Sequence, residues 1–282
     1  FEAFAAYDRS RLEQAGIPCF CDPQDAADAV AALSGYAKAS ACQSQHVQPM
    51  LTAAQCCAVE EFLRDFPKNE QLVLPERLSK QLLALAGFPV SVPVVAHTAM
   101  QAADAAEAFG YPVALKVESY VIQHKTDVGG VRLGLQDRAA VKEAFLQMDS
   151  AMKRLDPSAC VTVQPMAQSG FEVMLGAARL HDTPLMVAGM GGIYAEAFQD
   201  MAFRLAPLQE GQAERMLQSL RCAPVLNGFR TPPLDRAGVC QLLQRLSELM
   251  QAFAQIREVD LNPCRVYENG CAILDARIVL QL

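Results

Sequence analysis

The chain is predicted to be a mixed α/β protein, layered in the α+β manner, on three observations. From about residue 72, short β-branched apolar runs alternate with helix-spaced segments, and glycine or proline punctuates the joins. The C-terminal end reads as two strands joined through Glu268-Asn269-Gly270, where Asn-Gly is a strong hairpin signal. With 282 residues, 52% of them hydrophobic, the chain can bury a substantial core.

Taken in order, residues 12–38 read as one strand–helix unit. Ile17-Pro18-Cys19-Phe20 is a short apolar strand, Asp22 can cap a helix after it, and Ala26 to Ala39 is alanine-rich with helical spacing. One such unit cannot bury both its faces, so it is expected to close a domain whose other strands lie elsewhere. Residues 41–71 lose clear periodicity and are expected to be a connector, with a helix over 52–64. Ser79 to Ala86 is helical and stops at Gly87. Val90 to His97 reads as a strand, Met100 to Phe109 as a helix ended by Gly110, and Tyr111 to Glu118 as a strand.

Val131 to Leu135 alternates as a strand. A helix comes next over 138–154, then strands over Cys160 to Pro165, Phe171 to Ala178, Pro184 to Ala188 and Ala202 to Pro207. Helices over 209–220 and 234–255 precede the final strands, Arg257 to Val266 and Cys271 to Val279.

Composition narrows the function classes. Net charge is −7 with no Lys/Arg-rich block, which argues against nucleic acid as the main partner. No run of about 18 apolar residues is free of charges or breakers, so no membrane span is expected. The ten cysteines form no C-x-x-C pair and several sit inside apolar runs, as small core or surface residues in a reducing cytoplasm would. The chain opens on Phe1, and nothing there resembles a signal peptide; a piece of a longer or processed protein is the expectation.

The residues with chemical potential cluster. Lys116 ends a buried strand, where its ammonium either meets an anion or snorkels to solvent. A dozen residues on, Gly129-Gly130 would let backbone N–H groups approach a phosphate. Between them His124, next to Lys125 and Asp127, can accept or hand over a phosphoryl group; a loop histidine is otherwise plain solvent-exposed filler. Gln164-Pro165-Met166 ends a strand whose backbone can read an adenine edge. Glu172 can accept ribose hydroxyls or lie on an alternating surface strand.

Asp260 and Asn262 project from one strand face, and the hairpin can bring Asp275 opposite them. Few oxygen ligands of this kind suit Mg2+, which shares its shell with waters and phosphates; the bland reading is a polar sheet face. Gly189-Met190-Gly191-Gly192 can bind phosphate or make a tight bend.

These elements, in this order, resemble the ATP-grasp domain of the NDP-forming acyl-CoA synthetases, relatives of succinyl-CoA synthetase, from Leu74 to Leu280. The resemblance runs through the lysine strand, His124-Lys125-Thr126-Asp127-Val128-Gly129-Gly130-Val131, Gly170-Phe171-Glu172-Val173 and Gly189-Met190-Gly191-Gly192. It continues in Phe203-Arg204-Leu205-Ala206-Pro207-Leu208, Asn227-Gly228-Phe229-Arg230, Asp260-Leu261-Asn262-Pro263 and Asp275-Ala276-Arg277-Ile278. Residues 1–40 resemble the end of the flavodoxin-like CoA-ligase domain that precedes the ATP-grasp domain in fused members. An ATP-grasp fold of two subdomains is therefore expected over 72–282.

The resemblance implies the reaction acyl-CoA + ADP + phosphate ⇌ acid + CoA + ATP, run through a phosphohistidine relay in the cytoplasm. It implies His124 as phosphoryl carrier, Lys116 as the phosphate lysine, Gln164, Pro165 and Met166 as the adenine hinge and Glu172 as the nucleotide-binding carboxylate. Asn262 and Asp275 match the Mg2+ ligands, with Asp260 supporting them. ATP or ADP and Mg2+ are then the cofactors, and CoA-binding and CoA-ligase domains outside this chain the partners, in a homo- or hetero-oligomer. Three places depart from the family pattern: Ser119 is followed by Tyr120-Val121, the strand after Glu172 ends in Arg179-Leu180-His181-Asp182, and Thr231 follows Arg230. Two other readings stand beside this one: a regulatory nucleotide- or acyl-CoA-sensing domain of a protein lysine acetyltransferase, and an ATP-dependent carboxylate–amine ligase, which would not need His124.

Overall fold

A computed structural model of the chain describes residues 11–20, 22–41, 49–67, 71–119, 122, 128–192, 200–230 and 232–281, with side chains 36–41 excepted. Its contacts divide the chain into two units, Phe1–Val47 and Gln48–Leu282.

In the first unit the described residues are helical over 11–14 and again in a long helix, α1 (Pro23–Ala41), which starts at Asp22, whose Oδ1 accepts from Gln24 N at 2.6 Å. The strand expected at Ile17 to Phe20 does not form. Pro18 has no N–H to give a ladder, and Ile17 and Phe20 are exposed; among the described residues no strand pairs with them.

The second unit begins with α2 (Ala53–Arg64). Thr52 and Gln55 form a reciprocal capping box there, and Val59 and Leu63 are buried in the large core. The stretch read as a connector thus carries a packed helix. Next come β1 (Gln71–Leu74), α3 (Glu76–Leu85), β2 (Val94–Ala96), α4 (Ala99–Phe109), β3 (Val113–Glu118), β4 (Val131–Leu135), α5 (Arg138–Met152) and β5 (Cys160–Pro165). They are followed by β6 (Phe171–Leu180), β7 (Thr183–Met190), β8 (Met201–Leu205), α6 (Gln212–Ser219), α7 (Ala223–Leu226), α8 (Arg236–Ala252), β9 (Ile256–Val266), β10 (Cys271–Ile273) and β11 (Arg277–Gln281).

Two antiparallel sheets result. The smaller runs β2-β5-β3-β4, and α4 and α5 cover one face of it through Ala102, Ala103, Ala106, Phe145 and Met148 against Val113, Leu115, Val117, Val161 and Val163. The larger runs β1-β11-β9-β6-β7-β8, with β10 on β9, and its core gathers α2, α3, α6 and α8. This is the mixed α/β architecture of two subdomains that the sequence predicts.

Two strands differ from expectation. Val90 to His97 shrinks to β2, because Pro93 interrupts the ladder and leaves Val90 in an isolated bridge with Ile273. Cys271 to Val279 breaks at Leu274–Ala276: β10 pairs the far end of β9 and β11 its near end, with Arg277 opposite Asp260. The break places Asp275 outside the ladder, where the pleat no longer dictates its direction.

Candidate nucleotide site

The face of the small sheet opposite its helices turns toward the larger sheet. On β3 the alternation sends Val113, Leu115 and Val117 into the helical core and Ala114 and Lys116 the other way. Between the sheets lies a cavity of ≈ 1100 Å3, lined by Lys116, Gln164, Pro165, Met166, Glu172, Asp260, Asn262 and Asp275, among others. Residues spread along the sequence from Lys116 to Asp275 therefore share one hollow. Gly129 and Gly130 are not among its described lining residues, although Val131 and Leu133 are. Gly129 adopts φ +72, and the Gly130 carbonyl accepts from Val117 N at 2.8 Å. His124 lies outside the described residues.

The described residues on either side of the His124 segment are held by hydrogen bonds. Ser119 Oγ donates to Asp156 Oδ2 at 2.6 Å and accepts from Ile122 N at 2.9 Å, while Gly130 is tied to Val117 at the other end. Hydrogen bonds from Ser119 and Ser158 hold the Asp156 carboxyl below its usual range. Ser119 and Ile122 both line the cavity.

Lys116 Nζ donates to Glu76 Oε1 at 2.7 Å and to the Leu274 carbonyl at 3.3 Å. Glu76 also takes Lys80 Nζ at 2.9 Å, so one carboxylate is shared by two ammoniums. The side chains of Glu76, Lys80 and Lys116 are 5%, 2% and 11% exposed, which makes this a buried charge cluster and not a surface helix pair. Burial pushes the Lys80 ammonium below its usual range; Glu76 and Asp275 pull it back up, and Lys116 pushes it further down. Removing one member of such a pair leaves an uncompensated buried charge, at a cost of about 3–5 kcal/mol. Next to it, Arg77 Nε donates to Glu118 Oε1 at 3.0 Å, so the first turn of α3 is ion-paired twice to β3.

At the hinge, Gln164 is buried and its Oε1 accepts from Lys80. The Met166 N–H donates to the Pro112 carbonyl at 3.1 Å, because β3–β5 pairing runs on past Pro165 opposite Val113. Only part of the hinge backbone expected to be open for a base edge is therefore open.

Glu172 pairs with Arg265, whose Nε and Nη2 lie 3.1 and 3.0 Å from Oε1. The same guanidinium donates through Nη1 to the Ala167 and Gln168 carbonyls at 3.2 and 2.9 Å, fixing the chain after the hinge. The glycine-rich turn serves packing here. A Cβ on Gly191 would stand 2.5 Å from the Val173 carbonyl carbon, and one on Gly192, at φ +70, would run into Glu172 Oε2. The Gly191 N–H donates to the Glu172 carbonyl at 2.9 Å.

Asp260, Asn262 and Asp275 supply the oxygens at the large-sheet wall. Burial raises the Asp260 carboxyl above its usual range, the neighbouring Asp275 raises it further, and Arg277 opposes. Two carboxylates that disfavour each other's charge, with an amide oxygen alongside, are a donor set that a hard divalent cation would relieve. Among the described residues no group of three His, Cys, Asp or Glu forms a metal cage of its own.

Arg179, at one of the family departures, sits away from the cavity. Its guanidinium donates to the Met250 and Phe253 carbonyls, closing the C-terminus of α8, and to the Ile256 carbonyl. Among the described residues no helix is long and apolar enough to cross a membrane.

Sequence reasoning missed Glu76, Arg77, Lys80 and Arg265. Glu76 and Lys80, four apart on a helix, carry the signature of an ordinary exposed pair. The one available signal was spacing: Lys80 stands three residues before Leu83, on the buried side of α3, where a solvated lysine does not belong.

Comparison with known proteins agrees with this geometry. The ATP-grasp domain family matches residues 65–280. Acetate–CoA ligase [ADP-forming] I of Archaeoglobus fulgidus is 34% identical over 274 residues, which is 95% of this chain and 40% of that protein. The beta subunit of acetate–CoA ligase [ADP-forming] I of Pyrococcus furiosus is 32% identical over 218 residues, 76% of this chain and 93% of the subunit. Acetyl-coenzyme A synthetase 1 of Ca. Korarchaeum cryptofilum, solved with coenzyme A and Ca-AMPCP, superposes with a TM-score of 0.72 at 32% identity, covering 79% of this chain and 98% of that one. The same synthetase has been solved with Mg-AMPPCP and its phosphohistidine segment pointing towards the nucleotide binding site; there the TM-score is 0.67 at 29% identity, over 80% of this chain and 100% of that one. The chain spans 30–40% of the length of the first three curated relatives it matches. The two-sheet fold, the hollow between the sheets and a family match over most of the sequence agree: the chain belongs to the ATP-grasp domain family.

Proposed function

We propose that the cavity binds an adenine nucleotide with Mg2+, and that the chain is the nucleotide-binding part of an ADP-forming acid–CoA ligase catalysing acyl-CoA + ADP + phosphate ⇌ acid + CoA + ATP. The observation that carries this reading is the convergence of Lys116, Gln164-Pro165-Met166, Glu172, Asn262 and Asp275 on one hollow. The names of the relatives support the reaction class. In this reading the base lies along Gln164 to Met166 and the ribose hydroxyls meet Glu172. The phosphates reach Lys116, and Asn262 and Asp275 hold Mg2+. The ion, when bound, neutralises charge on the phosphates.

His124 is the proposed carrier. An imidazole nitrogen attacks the γ-phosphorus of ATP, the new N–P bond forms as the P–O bond to the β-phosphate breaks, and ADP leaves with that electron pair. In the synthetic direction the same bonds are made and broken in reverse. The pinned loop ends at Ser119 and Gly130 support delivery of His124 to the cavity. Residues 1–40 are proposed to be the end of a CoA-ligase-like domain, 41–71 a linker and 72–282 the nucleotide-binding domain. CoA-binding and CoA-ligase parts would complete the reaction as further domains or a partner subunit in the cytoplasm, as the share of the relatives' length and a relative's standing as a beta subunit support.

The test is incubation with γ-labelled ATP and Mg2+. Acid-labile, base-stable label on the protein that vanishes in His124→Ala is the expected result. Measurable ATP binding without such label would contradict the phosphohistidine role.

A further inference from the structure

Lys80 has no part in that set of nucleotide contacts, yet it is among the largest fully buried side chains, at 2% exposure. Its ammonium has three N–H donors, and three acceptors from three parts of the fold meet them. Glu76 Oε1 lies 2.9 Å away, one helical turn back. Gln164 Oε1 on β5 lies 3.1 Å away and the Leu274 carbonyl, in the break between β10 and β11, 2.8 Å away.

Two of these acceptors open the segments assigned to opposite ends of a nucleotide. Gln164 leads into Pro165 and Met166, and Leu274 is bonded to Asp275. Helix packing alone gives no reason for the charge: apolar side chains of similar volume often replace a buried ion pair at no loss of stability. An apolar side chain could not grip a side-chain amide on the small sheet and a backbone carbonyl in the break between β10 and β11 at once.

We propose that Lys80 is a positioning residue, a bracket that fixes the nucleobase segment Gln164–Met166 against the metal turn Leu274–Asp275, so that the two ends of one nucleotide are engaged together. This rests on the reading of the cavity as a nucleotide site. Its consequence is specific: the bracket makes metal binding and nucleotide binding help each other, so its loss weakens their coupling more than it weakens either alone. Glu76 supplies the countercharge, and through it Lys116 joins the same network.

Titration calorimetry of the full chain with AMPPCP, with and without Mg2+, tests this on the wild type, Lys80→Met and the double variant Glu76→Gln/Lys80→Met. In Lys80→Met the Glu76 carboxylate keeps Lys116 as its partner, and the double variant removes that carboxylate altogether, so in neither is a buried carboxylate left unpaired. In the wild type Mg2+ is expected to tighten AMPPCP binding by at least about tenfold, and in both variants that factor is expected to fall by about tenfold. The metal-free affinity is expected to change by no more than about threefold, which a general collapse of the site would not spare.

A Mg2+ factor unchanged in either folded variant overturns the proposal. So does failure of both variants to fold, which would make Lys80 a structural residue only. A wild type that binds no AMPPCP under any condition removes the nucleotide reading itself, a result separate from both.

Discussion

Glu172 Oε1 sits 3.0 Å from Nη2 of Arg265, and the same guanidinium holds the Gln168 carbonyl at 2.9 Å. A carboxylate on β6 and the chain after the proposed adenine hinge are thereby set by one arginine on β9. Arg265→Met is expected to weaken adenine nucleotide binding by about tenfold, the worth of one charge-assisted pair at a partly buried site. Because both side chains are partly exposed, the melting temperature should move little. Calorimetry alongside a thermal melt checks the pair of outcomes.

The glycines of the turn after β7 divide from those on open strands by what a side chain would meet. Gly191→Ala must displace the Val173 backbone, 2.5 Å from the new Cβ, whereas Gly134→Ala on β4, at φ +71, meets nothing within 4 Å. Gly134→Ala should cost about 1–2 kcal/mol through left-handed strain alone. Gly191→Ala should cost about 3 kcal/mol or more, as overpacking against backbone does. Urea unfolding of the two variants gives the ranking, and a Gly134→Ala cost equal to or above that of Gly191→Ala would refute it.

Asp156 supplies the pH-dependent part of the anchor at Ser119. Its carboxyl is depressed by hydrogen bonds from Ser119 and Ser158, so the stability it contributes is fully present above the unfolded value near 3.8 and is lost as pH falls through the folded value. Asp156→Asn is expected to be less stable than the wild type at about pH 6–7, with the gap closing below the ordinary carboxylate range. Thermal melts of both proteins across this range check it; a gap that widens on acidification contradicts the assignment.

Much of this fold could be read from the sequence, because strand alternation and helix-ending glycines are local. Cys160–Pro165 and Val131–Leu135 form where expected, and Gly110 ends α4 at φ +80. The part of the cavity lining formed by Lys116, Gln164, Pro165, Met166, Glu172, Asn262 and Asp275 was legible as a set of residues but not as a network. Lys80 meets Gln164 across 84 positions and Arg265 meets Glu172 across 93, and no local pattern announces partners so distant. The strand break around Asp275 was equally hidden, since Cys271 to Val279 is apolar throughout except at Asp275 and Arg277, and only pairing with two stretches of β9 reveals it. Ile17 to Phe20 failed for the opposite reason: its composition suits a strand, but a strand needs a neighbour.

The central claim is that Lys116 and the Asn262–Asp275 wall grip the two sides of one nucleotide tail. Calorimetric titration of Mg·AMPPCP into the wild type, Lys116→Met and Asp275→Asn tests it most directly. The account predicts saturable binding to the wild type and a loss of at least about tenfold in each variant, from the removal of one charged contact to phosphate or metal. Wild-type affinity in both variants would contradict it.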